Sequence, residues 1–78
     1  MTVMSEAIYD KLCIPAVDME TTLMIRDQLR ELGLFRSFRF DVDRLMYFVH
    51  INTVDRNTLQ DLVALVTKHN YRLFTYNN

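Results

Sequence analysis

The side chains of this 78-residue chain that could do covalent or metal chemistry are few: Cys13, His50, His69 and the pair Asp41 and Asp43. A thiol nucleophile needs a neighbouring base and a lowered pKa. His50 is the one candidate base, and no oxyanion donor or orienting carboxylate accompanies the pair. Cys13 therefore reads as a small buried or half-buried apolar residue. His50 and His69 lack the i, i+4 spacing of a metal pair, and one cysteine cannot complete a ligand set, so no metal or other cofactor is expected. Asp41 and Asp43, at i and i+2, are placed as turn residues that satisfy their own backbone. The single glycine, Gly33, excludes every multi-glycine phosphate loop, and Pro15-Ala16-Val17-Asp18 offers no substitute. The expectation is a protein that is not an enzyme.

The elements that position these residues follow from periodicity. Ile8 to Val17 alternates, with Ile8, Leu12, Ile14 and Ala16 on one side and Tyr9, Lys11, Cys13 and Pro15 on the other, which predicts a strand ending near Pro15. Asp18 is placed to cap a helix over 19–32, whose buried stripe is Thr22, Ile25, Leu29 and Leu32, with Gly33 as a left-handed stop. Met19, Leu23, Met24 and Leu65 are expected at the edge of the core. Leu34 to Ile51 alternates twice around a turn at Asp41-Val42-Asp43-Arg44, with Phe38, Phe40 and Val42 inward, followed by Leu45, Tyr47, Val49 and Ile51. After a polar stretch over 52–57, Thr53 or Asp55 can cap a second helix. It carries Leu59, Leu62, Val63 and Val66 and closes at His69 and Asn70. Tyr71 to Tyr76 is aromatic enough for a last strand.

The order β-α-β-β-α-β predicts an α+β, ferredoxin-like domain over residues 1–78: a four-stranded antiparallel sheet, order 4-1-3-2, with both helices on one face. Residues 1–7 have no clear period and read as a loose N-terminal arm. Half the residues are apolar and 24% charged, which suits a globular core. Nine basic against ten acidic residues fit neither a phosphate-dominated duplex DNA binder nor an acidic DNA mimic. No apolar run approaches the length of a membrane helix. The start Met-Thr-Val-Met-Ser-Glu has no signal-peptide pattern, and with the lone cysteine it predicts a cytoplasmic protein.

Two helices on one sheet face leave the other open. Alternation puts Tyr9, Lys11 and Cys13 there, then Ser37, Arg39 and Asp41, then Met46, Phe48 and His50, and finally Arg72, Phe74 and Tyr76. Apolar residues gathered on an exposed face mark contact sites. Met46, Phe48, Phe74 and Tyr76 are the expected anchors, Arg39 and Arg72 the orienting rim, and His50 and Tyr9 further contacts. The expectation is a regulatory or accessory interaction module, contacting a second copy as a homodimer or a larger protein.

The same element order belongs to the RNA recognition motif, and Arg44-Leu45-Met46-Tyr47-Phe48-Val49-His50-Ile51 resembles its third-strand signature at Arg44, Phe48 and Val49. Both glycine positions and the first aromatic depart from the signature, and Cys13 stands where a stacking aromatic belongs. The resemblance implies single-stranded RNA as an alternative partner. A small-molecule-sensing regulatory domain is a third possibility, without the glycine-containing loop such domains use.

Overall fold

The computed structural model describes residues 8–75. It is an α+β structure in which β2 (Leu12–Ala16), β3 (Phe35–Asp41), β4 (Met46–Ile51) and β6 (Phe74–Thr75) make a four-stranded antiparallel sheet in the order β3-β4-β2-β6. Read from the β6 edge, the four strands of this sheet stand fourth, first, third and second in chain order, and the departure from the expectation lies in the number of strands along the chain. Two further strands, β1 (Ile8–Tyr9) and β5 (Val54–Asp55), pair with each other in a separate antiparallel ladder. The expected first strand is thus two strands. Its break lies at Asp10-Lys11, where Lys11 takes the left-handed φ of 59° and donates its backbone N–H to Asp10 Oδ1 at 2.8 Å. Thr53 donates to the same carboxylate at 3.2 Å, fastening the break to the segment before β5. Short-range alternation cannot register such a kink, because a left-handed residue preserves the apolar pattern while turning the backbone.

α1 (Met19–Glu31) starts where Asp18 accepts from the Thr21 N–H at 2.7 Å. It ends with Gly33 at φ 72°, the Gly33 N–H on the Arg30 carbonyl and the Leu34 N–H on the Leu29 carbonyl. This is the bond pair of a Schellman stop. The stop corrects one expectation. Leu32 is the C-cap and is exposed, and Leu34, just past the glycine, enters the core in its place. The single buried polar residue of the helix, Thr22, donates its hydroxyl to the Asp18 carbonyl.

α2 (Arg56–His69) is capped by Asp55, which accepts from the Thr58 N–H at 2.8 Å. It closes on Asn70 at φ 61° with the same paired bonds, from Asn70 to Thr67 and from Tyr71 to Val66. Tyr71 then donates its hydroxyl to Gln28 Oε1 at 2.8 Å, and its ring stacks on His69 at 5.3 Å. These contacts tie the exit of α2 to α1 and direct the chain toward β6.

The core is aliphatic. Ile14, Ile25, Leu29, Val49, Ile51 and Leu62 are fully buried, with Leu12, Ala16, Leu34, Val54 and Val66 around them. α1 packs on β2, β3 and β4, while α2 leans on the β1–β5 ladder and adds Leu62 and Val66 to the same core. Val63, expected in the buried stripe of α2, is exposed, and Met19 and Met24 of α1, expected at the edge of the core, are exposed too, because a helix covering a narrow sheet buries only its central stripe. Phe38 and Tyr47 are half-buried at the margin of the core. Phe40 is 44% exposed, its ring edge-on to Tyr47 at 4.9 Å.

The hairpin joining β3 and β4 turns through Val42–Leu45, one residue later than expected. Asp41 organises it. Its Oδ1 accepts from the backbone N–H groups of Asp43 and Arg44, and its Oδ2 meets the Arg44 guanidinium at 2.8 Å. Leu45 closes the loop at φ 56°, with its N–H on the Asp41 carbonyl. It is therefore an exposed turn residue and not an inward strand residue. A leucine in the left-handed region is strained, and Asn tolerates that region better. Leu45→Asn should raise the unfolding free energy by about 0.5–1 kcal/mol, read from urea denaturation.

Candidate functional site

Strand register sets the open face. Across the sheet, Phe38, Val49 and Ile14 are partners in one row, and these face the core. The rows on either side face away from it. One contains Ser37, His50, Cys13 and Phe74, and the other Arg39, Phe48 and Pro15, with Met46 opposite Asp41 beyond. This alternation keeps Met46, Phe48, His50, Phe74 and Arg39 on the face where the sequence places them. Arg72 lies just before β6, outside any strand, and still joins them.

A broad open concavity of about 1050 Å³ occupies this face. Its floor is Cys13, Pro15, Met46 and Phe48, the hairpin residues Val42, Asp43 and Arg44 bound one end, and Arg72, Phe74 and Thr75 the other. Tyr9 is not part of it. β1 leaves the main sheet, and Tyr9 packs against the core instead. Tyr76 lies outside the described residues, as does the arm over 1–7.

The sheet end beyond this concavity is more apolar than alternation alone predicts. Phe40 borders the concavity from the core-side row it shares with Tyr47 and Ala16, and Val42 and Leu45 are each 72% exposed at the hairpin. Ala16 is registered with Tyr47, so Val17, also exposed, follows at the same end of the sheet. The available signal was local. A turn containing Val and Leu, where polar residues serve better, exposes apolar surface whichever register is chosen.

Electrostatics bear on Cys13 as a nucleophile and on His50 as its base. Cys13 is buried beneath its neighbours on this face, and burial pushes its thiol pKa up, partly offset by the Arg39 charge. The thiolate a nucleophile needs is disfavoured. His50, opposite Cys13, has its pKa lowered by burial and then by the charges of Arg39 and Arg36, so the neutral ring is favoured. Among the described residues, no group of three or more His, Cys, Asp or Glu could hold a metal ion. No helix there is long and apolar enough to cross a membrane.

Comparison with protein-family models, curated proteins and solved structures finds no relative of this chain. The site therefore rests on its own geometry: an apolar floor, cations on either side, and backbone fixed by strand pairing.

The lowered pKa of His50 has a stability consequence. The folded state binds that proton less readily than the unfolded chain, so stability is lost as pH falls through the ordinary imidazole range near about 6.5. Wild type should lose more stability between pH 7.5 and 5.5 than His50→Gln, compared by urea midpoints. The carboxylates of Asp18, Asp41 and Asp55 are held low by the backbone N–H groups they accept from, so their contribution disappears only at more acidic pH.

Proposed function

We propose that the chain is a small non-enzymatic protein–protein interaction module, built on a ferredoxin-like fold, that works through the open face of its sheet. Such a module acts by self-association as a homodimer, or by binding a larger protein as a regulator or inhibitor. One observation carries the reading. Phe48, Met46 and Pro15 form an apolar floor on the sheet face opposite the core, with Arg39 and Arg72 beside it. Aromatic and arginine side chains dominate binding hot spots, and a surface the core does not need is available for contact.

Phe48 between two arginines also favours a second reading, in which single-stranded RNA stacks on the ring and its phosphates meet the guanidinium groups. Asp41 and Asp43 beside the concavity oppose it, as does the net charge of −1. A small-molecule sensor ranks third, since the concavity is wide and open.

Sedimentation velocity together with capture of binding proteins tests the first reading, using wild type, Phe48→Asp and the helix-face control Val63→Asp. A wild type that stays monomeric and retains nothing overturns it. Association that disappears in Phe48→Asp and persists in Val63→Asp supports it.

A further inference from the structure

β3 is an edge strand of the four-stranded sheet, seven residues long, and β4 is its one neighbour among the described strands. Along the other side, every second residue turns its backbone N–H and C=O outward, a ready ladder for another strand. Proteins guard such an edge with proline, lysine, bulges or charges turned inward. Here the strand has no proline or lysine, and its core-side row is Phe35, Phe38 and Phe40. A bulge falls between Phe35 and Ser37, at the start of the strand, where the Arg30 guanidinium also lies over the Phe35 ring at 5.4 Å. From Ser37 onward the register is regular, and Phe40 is 44% exposed, with Val42 72% exposed just past the strand.

We propose that a second copy of this chain pairs antiparallel with the outer edge of β3, on a two-fold axis beside Phe40. The register follows from which side chains face each other. An axis at Phe38 sets Phe40 against the bulge at Arg36 and leaves only Ser37, Phe38 and Arg39 to pair. An axis at Arg39 sets that residue against its own counterpart, and like charges directly opposite are unfavourable. With the axis at Phe40, the two Phe40 rings meet, and each Phe38 faces Val42 of the second copy. Aromatic pairs and aromatic–β-branched pairs stabilise antiparallel strands. On the open face each Arg39 comes opposite Asp41 of the second copy. Neither sign then meets itself across the seam, and both residues keep the contacts they make within their own chain. This axis is perpendicular to the sheet, so the helices of both copies stay on one side. The two four-stranded sheets become one, with their open faces side by side. The edge is a separate surface from the apolar floor around Phe48 and leaves that floor uncovered.

Sedimentation velocity and cysteine cross-linking test the pairing. Wild type should sediment as a dimer at about 100 µM, and Phe40→Lys should dimerise at least tenfold more weakly. Phe40 is exposed enough for that variant to fold, which circular dichroism checks. The cross-link reads the register. Directly opposed residues of antiparallel strands have Cα atoms about 4.5–5.5 Å apart, within disulfide reach. Diamide should therefore join Phe40→Cys into a covalent dimer. Val42→Cys, although more exposed, stands opposite Phe38 and roughly 13 Å from its own counterpart, and should not be joined. Cys13 is buried and does not compete. A wild type that is monomeric at that concentration, or a dimer that Phe40→Lys leaves intact, overturns the proposal. Cross-linking of Val42→Cys as fast as Phe40→Cys overturns it too. Phe48→Asp separates this edge from the open face. A dimer kept in Phe48→Asp and lost in Phe40→Lys belongs to the edge. A dimer lost in Phe48→Asp and kept in Phe40→Lys belongs to the open face and removes the edge.

Discussion

Ile25→Ala should destabilise the chain by about 3–4 kcal/mol, toward the upper part of the range for truncating a buried aliphatic side chain. Ile25 is fully buried at the centre of α1 and belongs to the same core as Ile14, Val49, Ile51 and Leu62. Because both helices and the sheet share that one core, the cavity cannot be confined to a peripheral cluster. A chain of this length has a total stability of roughly 4–12 kcal/mol, so the loss consumes a large share of it. The melting temperature should drop by about 10–25 °C. Met24→Ala, one residue away on the exposed side of the same helix, should change stability by less than about 0.5 kcal/mol. A small effect at Ile25 would mean that α1 does not cover the sheet as described.

Phe48→Asp should have the complementary signature: a modest change in stability and a large drop in affinity. Phe48 is half-buried on β4, between Arg39 of β3 and Pro15 of β2, and faces away from the core. Its replacement leaves the core rows untouched. In a complex, it would place a carboxylate in the centre of the interface and remove the principal ring. Central aromatic anchors cost about 2–4 kcal/mol when truncated, which is a thirtyfold or greater loss of affinity. The melting temperature should fall by only a few degrees, so the affinity change cannot be attributed to unfolding. Affinity within threefold of wild type would exclude Phe48 from the interface.

Much of the architecture was legible because local chemistry fixes it. Asp18 and Gly33 bracket α1, and Asp55 and Asn70 bracket α2, each through hydrogen bonds made within a few residues in sequence. The face assignment of Met46, Phe48 and His50 follows from a period of two and needs only one correctly placed neighbour such as Val49. What escaped the sequence was set by backbone turning. Lys11 and Leu45 both adopt left-handed conformations without being glycine or asparagine, so neither announces its turn. The first removes Tyr9 from the open face, and the second shifts the hairpin by one residue. Phe40 was misplaced for a different reason. Alternation gives its side of the sheet, the row of Tyr47 and Ala16, but says nothing of how completely that side is covered. The pairing of Val54 with Tyr9 was invisible, since two-residue strands have no period to read.

Oxidative footprinting of the chain alone and in its complex, by hydroxyl radicals and mass spectrometry, tests the face assignment directly. Met46, Phe48 and Phe74 should be protected on binding, with Met24 and Leu32 on the exposed side of α1 unchanged as internal references. Protection of Met24 and Leu32, with Met46 and Phe48 modified as fast as in the free chain, would place the interface on the helices and contradict the open-face account.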